Sequence, residues 1–252
     1  MRLDELGRID WGRLEHAYGS AKDVPGLIRA LTSSSRTKRE RALYELFGNI
    51  HHQGTVYSAT APAVPFLAEL VRSDDTDHRV RVELTWLLQA IAGGSSYLDV
   101  HRPLIELDGE AIDEDALAEE LTWVRAARAA VGAELPSLAP LIGAGNEELS
   151  LSVATLAARF PEQAEQVLPL VQRAHGAAST PARSRTLALV RLLLEDRSAG
   201  LLDEVRSAPE DDADPELLSE ALPAFERGQT PEEAYALLED LTGAAVRGWD
   251  DS

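Results

Sequence analysis

The segment His51-His52-Gln53-Gly54-Thr55-Val56-Tyr57 holds residue types suited to catalysis or recognition. It has two imidazoles, a tyrosine and a glycine that can adopt positive φ, and it joins two predicted helices, where binding residues are common. We predict a partner-binding surface in this region, formed by Trp11, His16, Tyr18, His51, His52, Gln53, Thr55 and Tyr57. A structural role is the alternative, in which these side chains cap helix ends and fix the N-terminal segment to the first repeat.

Catalytic and metal-binding patterns are missing from the sequence. It has no cysteine, no Gly-x-Ser-x-Gly nucleophile motif and no glycine loop that could cradle a phosphate. His51 and His52 are adjacent, whereas His78, His101 and His175 are isolated, so no metal-ligand spacing emerges. We therefore expect no catalytic residue, no metal ligand and no cofactor. An enzyme or a nucleic-acid-processing protein with its site near His51–Tyr57 is the alternative.

Charge is distributed unevenly along the chain of 252 residues, whose net charge is −19. Residues 1–92 contain 12 basic and 12 acidic side chains, so the whole excess lies in residues 93–252. Such an acidic body repels phosphate backbones; it suits a basic protein partner or serves solubility alone. Two acidic loops, 108–115 and 210–214, are predicted contact elements. The contact residues that we predict in the first loop are Asp113, Glu114 and Asp115.

A basic cluster in the N-terminal third comprises Arg36, Lys38, Arg39 and Arg41. Glu40 and Glu45 share its helix, and four cations support only weak, salt-sensitive binding to nucleic acid. Because Arg39 and Arg41 recur as a repeat feature, we predict that they form hydrogen bonds between repeats, to helix ends or to acidic groups. We therefore expect a protein partner rather than nucleic acid.

Helical periodicity dominates the sequence and predicts an all-α fold. Apolar residues at i, i+3, i+4 and i+7 predict helices over about 36–50 and 77–92, and a further helix is predicted at 116–132. Asp214-Pro215 and Thr230-Pro231-Glu232-Glu233 carry the signals of helix N-termini. The side chains predicted to be buried between adjacent repeats include Leu43, Phe47, Leu84 and Leu87.

These helices also repeat. A four-residue motif recurs along the chain: a branched apolar residue, then proline, then any residue, then another apolar residue. It occurs as Val24-Pro25-Gly26-Leu27, Val64-Pro65-Phe66-Leu67, Leu135-Pro136-Ser137-Leu138 and Leu168-Pro169-Leu170-Val171. Fourteen residues after each proline, paired polar residues open a second helix: Arg39 and Arg41, Arg79 and Arg81, Ser150 and Ser152, and Arg183 and Arg185. Repeats that each contain two helices are typical of HEAT-type α-solenoids. We predict an irregular HEAT-like α-solenoid of about five helical pairs, one domain over 1–252, with an N-terminal cap at 1–22 and an insertion loop at about 93–115.

The motif Trp11-x-x-Leu14-x-His16-Ala17-Tyr18-Gly19-x-Ala21-x-Asp23-Val24-Pro25, followed by Ile50–Tyr57, resembles a group of bacterial HEAT-repeat proteins over about residues 11–67. The resemblance implies an α-solenoid without known enzymatic activity, and some proteins of this sort look like immunity or adaptor proteins. We therefore expect a non-catalytic interaction module, of immunity or adaptor type, that captures a basic protein partner on its second helices and acidic loops.

The sequence also predicts where the protein resides. No apolar run approaches the roughly 18–20 residues of a membrane span. The start, Met1-Arg2-Leu3-Asp4-Glu5, is too acidic and too polar for a signal peptide. We therefore expect a cytoplasmic protein that does not enter a membrane.

Overall fold

The computed structural model describes residues 3–107, 111–207, 213–226 and 232–247. Helices dominate these ranges, so the chain is all-α as predicted. In chain order the α-helices are α1 Val24–Ala30, α2 Arg36–Ile50, α3 Thr60–Arg72, α4 His78–Ala92, α5 Tyr97–Leu107, α6 Glu114–Leu138, α7 Glu147–Ala158, α8 Ala164–Gly176, α9 Pro181–Leu193, α10 Ala199–Arg206, α11 Pro215–Glu226 and α12 Glu232–Arg247. Among the described helices, none combines the length and the apolar character needed to cross a bilayer.

The chain forms two compact units, Met1–Leu135 and Pro136–Ser252. Each unit has its own buried residues and its own helix hairpins. That the chain forms a single solenoid domain stays a prediction.

Short elements open the first unit, in the segment predicted as an N-terminal cap. They include 3-10 turns at Leu3–Arg8 and Trp11–Arg13 and a hairpin of two-residue strands, β1 Glu15–His16 and β2 Gly19–Ser20. Helices α1 and α2 then form one hairpin, and α3 and α4 form the next. The two hairpins pack first helix on first helix and second on second, the arrangement expected of a helical repeat. A second small hairpin, β3 His51–His52 with β4 Thr55–Val56, joins α2 to α3.

The repeat arginines of the first unit bond at or just after the end of the preceding helix. Arg39 donates from Nη1 to the carbonyl oxygen of Ser33 at 2.9 Å and from Nη2 to Asp77 at 2.6 Å. Arg81 donates from Nε to the carbonyl oxygen of Val71 at 2.8 Å. The last carbonyl groups of a helix have no partner inside it, and Arg81 satisfies one of them at the end of α3. Ser33 lies in the turn that follows α1, so Arg39 bonds to that turn and to the acid Asp77 of the next hairpin.

The second unit places the polar residues of its repeats in the same position. Ser150, in the first turn of α7, accepts from the backbone N–H of Gly143 at 2.7 Å. Arg183, in the first turn of α9, donates to the hydroxyl of Ser179 at 2.7 Å and also pairs with Glu147. In both units, a polar side chain at the start of the second helix therefore closes the turn before it.

The segment predicted as an insertion loop contains a helix, so that part of the prediction was wrong. Helix α5 occupies Tyr97–Leu107, and α6 starts at Glu114 and runs to Leu138, beyond the predicted 116–132. The polar flanks of the segment indicated a loop. Between them, however, apolar residues three and four apart favour a helix even though none of its side chains is buried.

The predicted burial of four apolar side chains is correct for three of them. Leu43, Leu84 and Leu87 are buried, whereas Phe47 is half-buried, so this expectation for Phe47 was wrong. Phe47 lies beside the core-facing side of α2, where the gap between α2 and α4 leaves it partly open. We call this gap the α2–α4 groove; it has a volume of about 430 Å³ and is lined by Glu40, Leu43, Tyr44, Phe47, Arg79 and Glu83.

Helix α12 packs across the second helices of the second unit, α7 and α9. Its buried apolar side chains are those that the sequence predicted, namely Ala234, Leu237, Leu238, Leu241 and Ala245. The hydroxyl oxygens of Thr155 on α7 and Thr242 on α12 lie 3.0 Å apart in this contact. Arg159 donates to Glu239 at 2.9 Å, and its guanidinium lies 4.3 Å from the ring centre of Tyr235. The face formed by α7 and α9 is thus covered by the chain's own helix.

The predicted starts of the last two helices fall partly within the described residues. Helix α11 begins at Pro215, and Asp214 accepts from the backbone N–H of Glu216 at 2.9 Å, which confirms that helix start. Thr230 and Pro231 of the predicted capping box lie outside the described residues.

Candidate functional site

Trp11 and His16 lie inside the first unit. The indole Nε1 of Trp11 donates to the carbonyl oxygen of Leu6 at 2.8 Å. His16 Nδ1 accepts from the backbone N–H of Tyr18 at 3.0 Å, so Nε2 carries the proton and donates to Asp23 at 3.0 Å. Both ring nitrogens of His16 are engaged, and the side chains of Trp11 and His16 are buried. They stabilise the N-terminal segment, and we leave them out of the candidate surface.

The β3–β4 hairpin is held in place from both sides. Gln53 and Gly54 form its turn with φ of 49° and 84°, values that suit glycine and that a few polar residues tolerate. The backbone N–H of Ser95 donates to the carbonyl oxygen of Gly54 at 2.8 Å, and that of Val56 donates to the carbonyl oxygen of Ser95 at 3.1 Å. A Cβ atom at Gly94 would lie 2.5 Å from Val56 Cγ1, so this close approach requires glycine.

Tyrosine and histidine side chains from three segments meet beside this hairpin. Tyr18 and His52 pack edge to face, with ring centres 5.3 Å apart, and Tyr97 stacks on His101 at 4.1 Å. The phenol of Tyr57 is within electrostatic range of Tyr18 and Tyr97, and burial raises its pKa. We call these five residues the Tyr–His cluster. It brings together Tyr18, His52 and Tyr57, which the sequence singled out, and Tyr97 and His101, which it did not.

Thr55 supports the cluster from the hairpin. Thr55 is buried, donates to the carbonyl oxygen of His52 at 2.7 Å and lies 2.7 Å from the hydroxyl of Tyr57. His51 is half-buried, whereas Gln53 is exposed at the turn. Thr55 therefore positions Tyr57, while Gln53 is open to solvent.

Helix α5 carries a row of apolar side chains that are about half-exposed or more. We call it the α5 row; its members and their exposed fractions are Tyr97 (48%), Val100 (49%), Leu104 (60%) and Leu107 (81%). The spacing places these side chains on one face along about 15 Å of helix. Residues 97–120 contain nine acidic side chains and one basic side chain, Arg102, so the row lies in an acidic stretch. Contiguous apolar surface of this kind marks interaction sites.

Acidic residues next to α5 have two different roles. Glu120 accepts from the hydroxyl of Ser96 at 2.7 Å and from the backbone N–H of Leu98 at 2.9 Å, which anchors the start of α5 to α6. Asp113 caps α6 by accepting from the backbone N–H of Ala116 at 3.1 Å.

The three acidic residues that the sequence predicted as contacts are exposed. Asp113 is engaged as a helix cap, Glu114 lies 3.6 Å from Arg102, and Asp115 is in the first turn of α6. The rest of the predicted acidic loops lies partly outside the described residues, at 108–110 and 210–212.

The arginines of the basic cluster on α2 are paired with acids. Arg36 donates to Glu40 at 2.7 Å, and Arg41 donates to Glu45 at 2.6 Å, both within α2. Arg39 bonds to Asp77 at the start of α4, so the predicted bonding between repeats is confirmed for Arg39 and was wrong for Arg41. The expectation that nucleic acid is not the partner stays a prediction.

Sequence reasoning missed a polar network in the second unit that joins α8, α9 and α10. His175 Nε2 donates to Glu204 at 3.1 Å and lies 3.2 Å from the hydroxyl of Ser184, which also donates to Glu204. Arg191 donates to His175 Nδ1 at 2.9 Å. A serine-hydrolase triad needs the serine and the carboxylate on opposite ring nitrogens. Here the serine and the carboxylate both lie at Nε2, so the arrangement is not that of a triad. The network instead joins the three helices.

Burial raises the pKa of Glu204, but the hydrogen bonds from Ser184 and His175 outweigh it, and its pKa lies below the usual value. No sequence pattern signals this network, because its members are 9 and 20 residues apart on three helices.

Comparisons with known proteins leave the family open. No family model, no curated protein and no solved structure matches the chain. Within the described residues, no three histidine, aspartate or glutamate side chains group as a metal site. The candidate site is therefore defined by its geometry: the Tyr–His cluster and the α5 row, next to exposed acidic residues at the start of α6.

Proposed function

We propose that the protein is a non-catalytic interaction module, of adaptor or immunity type, and that it captures a basic amphipathic helix of a protein partner on the α5 row. The observation that supports this most directly is the row itself, with four apolar side chains about half-exposed or more on one helix face. Leaving such a face in water costs about 25 cal/mol per Å² of apolar surface, which a partner helix recovers on binding.

Charge complementarity points to the chemistry of the partner. The acidic stretch around α5 attracts a basic segment and repels an acidic one, which raises the association rate and sets specificity. The Tyr–His cluster lies at the N-terminal end of the row, because Tyr97 belongs to both. Tyrosine is enriched at the centres of interfaces, so Tyr18 and Tyr57 are suitable anchors beside the row.

The alternative, an enzyme or a nucleic-acid-processing protein with its site near His51–Tyr57, has less support. Arg36, Arg39 and Arg41 are paired with acids, whereas a nucleic-acid site needs unpaired cations on one face. An enzyme needs a base within reach of a substrate; His16 is engaged at both nitrogens, and His52 Nδ1 lies 3.4 Å from the hydroxyl of Tyr18.

The test uses a synthetic 18-residue helical peptide with leucines on one face and lysines on the other. Fluorescence anisotropy should show binding that weakens with salt, and Leu104→Asp should reduce the affinity about tenfold or more. Reversal of Glu114 and Asp115 to lysine, which spares the α6 cap Asp113, should mainly slow association at low salt.

Two controls separate the α5 row from general attraction between opposite charges. A scrambled peptide of equal charge should bind more weakly than the amphipathic one, and Tyr44→Asp should leave the affinity unchanged, because Tyr44 is exposed in the α2–α4 groove. Equal binding of the scrambled peptide, or full affinity in folded Leu104→Asp protein, would rule out the α5 row as the binding surface.

A further inference from the structure

The second unit contains a small cavity of about 250 Å³ between the start of α7, the end of α8 and the start of α9. Its walls include Ala174 and Ala177 from the end of α8, with Leu151 and Leu187 from α7 and α9. An apolar cavity of about 150 Å³ holds a benzene molecule, so this one has room for roughly ten non-hydrogen atoms. The space suits a small molecule with a short hydrocarbon part.

One charged pair faces this apolar space. The side chain of Arg183 is 6% exposed and is paired with Glu147, whose side chain is 43% exposed. Arg183 also donates to the hydroxyl of Ser179 at 2.7 Å, and that hydroxyl donates to Glu147 at 3.0 Å. A buried guanidinium requires an anion beside it, because the uncompensated charge would cost several kcal/mol.

The two partners differ in how firmly they are held. Arg183 is fixed by burial in α9, whereas Glu147 is in the first turn of α7 and its carboxylate can move into water with little loss. A carboxylate that entered the cavity could take the place of Glu147 and form the planar paired hydrogen bonds that guanidinium favours. The hydrocarbon part would then lie against Ala174, Leu151 and Leu187.

We propose that this cavity binds a small monocarboxylate with a short aliphatic or aromatic group, and that Arg183 holds its carboxylate in exchange for Glu147. The exchange forms one charge-assisted contact and breaks another, so the ligand gains mainly from burying its hydrocarbon part. The site lies wholly within the second unit and is independent of the α5 row.

If the ligand takes the place of Glu147, the two compete for Arg183, and the ligand affinity depends on Glu147. Simple filling of the cavity would not have this dependence. Isothermal titration calorimetry with hexanoate and with benzoate should show binding, and Glu147→Gln should tighten it about fivefold to tenfold. The control Glu148→Gln makes the same charge change one residue further along α7, outside the cavity lining, and should leave the affinity unchanged. Ala174→Leu should abolish binding by filling the space.

Neutral hexanamide separates the charge from the hydrocarbon part, and it should bind far more weakly than hexanoate. Equal affinity for the amide and the acid would overturn the proposal. So would an unchanged hexanoate affinity in folded Glu147→Gln protein, or no binding of either acid to wild type and Glu147→Gln at about 10 mM, a concentration that detects even millimolar dissociation constants.

Discussion

The second helices face different surroundings in the two units. In the first unit, α2 and α4 border an open groove in which Tyr44 is 82% exposed. In the second unit, α7 and α9 are covered by α12, whose leucines are buried. The same layer of a helical repeat can thus become either surface or core, depending on whether the chain supplies a helix to cover it. The predicted use of second helices as a contact face stays a prediction, and in the second unit α12 occupies that face.

The largest effect that tests this comparison is expected at α12. Leu237 is fully buried, so Leu237→Ala should destabilise the protein by ~2–5 kcal/mol, from lost burial and from the cavity left behind. Urea denaturation followed by circular dichroism measures the change. Leu104→Ala serves as the control, because Leu104 is largely exposed and its truncation should change the stability by no more than about 0.5 kcal/mol. Similar midpoints for Leu237→Ala and Leu104→Ala would mean that α12 does not cover a core.

A smaller effect is expected on the open face of the first unit. Phe47→Ala should cost about 1 kcal/mol, well below the ~3–5 kcal/mol of a fully buried phenylalanine, because Phe47 is only half-buried in the α2–α4 groove. Tyr44→Ala should be close to neutral in the same denaturation experiment. A loss at Phe47 as large as that at Leu237 would show that the groove is closed in solution.

The smallest effect is expected in the loss of stability at acidic pH. Because the folded-state pKa of Glu204 is depressed, its stabilisation is present above the unfolded-state pKa of about 4.5 and is lost as the pH falls through the folded-state pKa. Glu204→Gln should therefore reduce the loss of unfolding free energy below about pH 4.5, by less than about 1 kcal/mol, as measured by urea denaturation. Glu40→Gln is the matched variant in the first unit. The contact between Glu40 and Arg36 is exposed. The stability of Glu40→Gln protein in acid should therefore follow that of wild type more closely than the stability of Glu204→Gln protein does. Superimposable pH profiles for Glu204→Gln and wild type would remove the role given to the network.

Local signals in the sequence predicted much of the fold. Periodicity placed α2 at 36–50 and α4 within one residue of its start, because their apolar faces are buried on neighbouring helices. The proline motif also continues further than predicted: Leu222-Pro223-Ala224-Phe225 in α11 matches it and could have been recognised. By contrast, α5 was missed because it packs no side chain into a core and its flanks are polar.

The candidate site was predictable in part. Sequence reasoning found the β3–β4 segment and Tyr18, because histidine, glycine and tyrosine cluster there along the chain. It could not find Tyr97, His101 or Glu120, since their approach depends on how α5 and α6 are anchored. It also included His16, whose imidazole is buried and donates to Asp23. The sequence shows the type of a residue but not where its side chain points.

The bonds that close the repeat turns have a consequence for the order of folding. Arg39 with Ser33, Arg81 with Val71 and Arg183 with Ser179 join groups that are ten residues or fewer apart in the chain. Contacts of such low sequence separation form quickly, because little loop entropy is lost in closing them. Thr155 and Thr242 are 87 residues apart, so we expect the helix hairpins to form early and α12 to dock late. A nascent chain would then expose α7 and α9 until α12 leaves the ribosome.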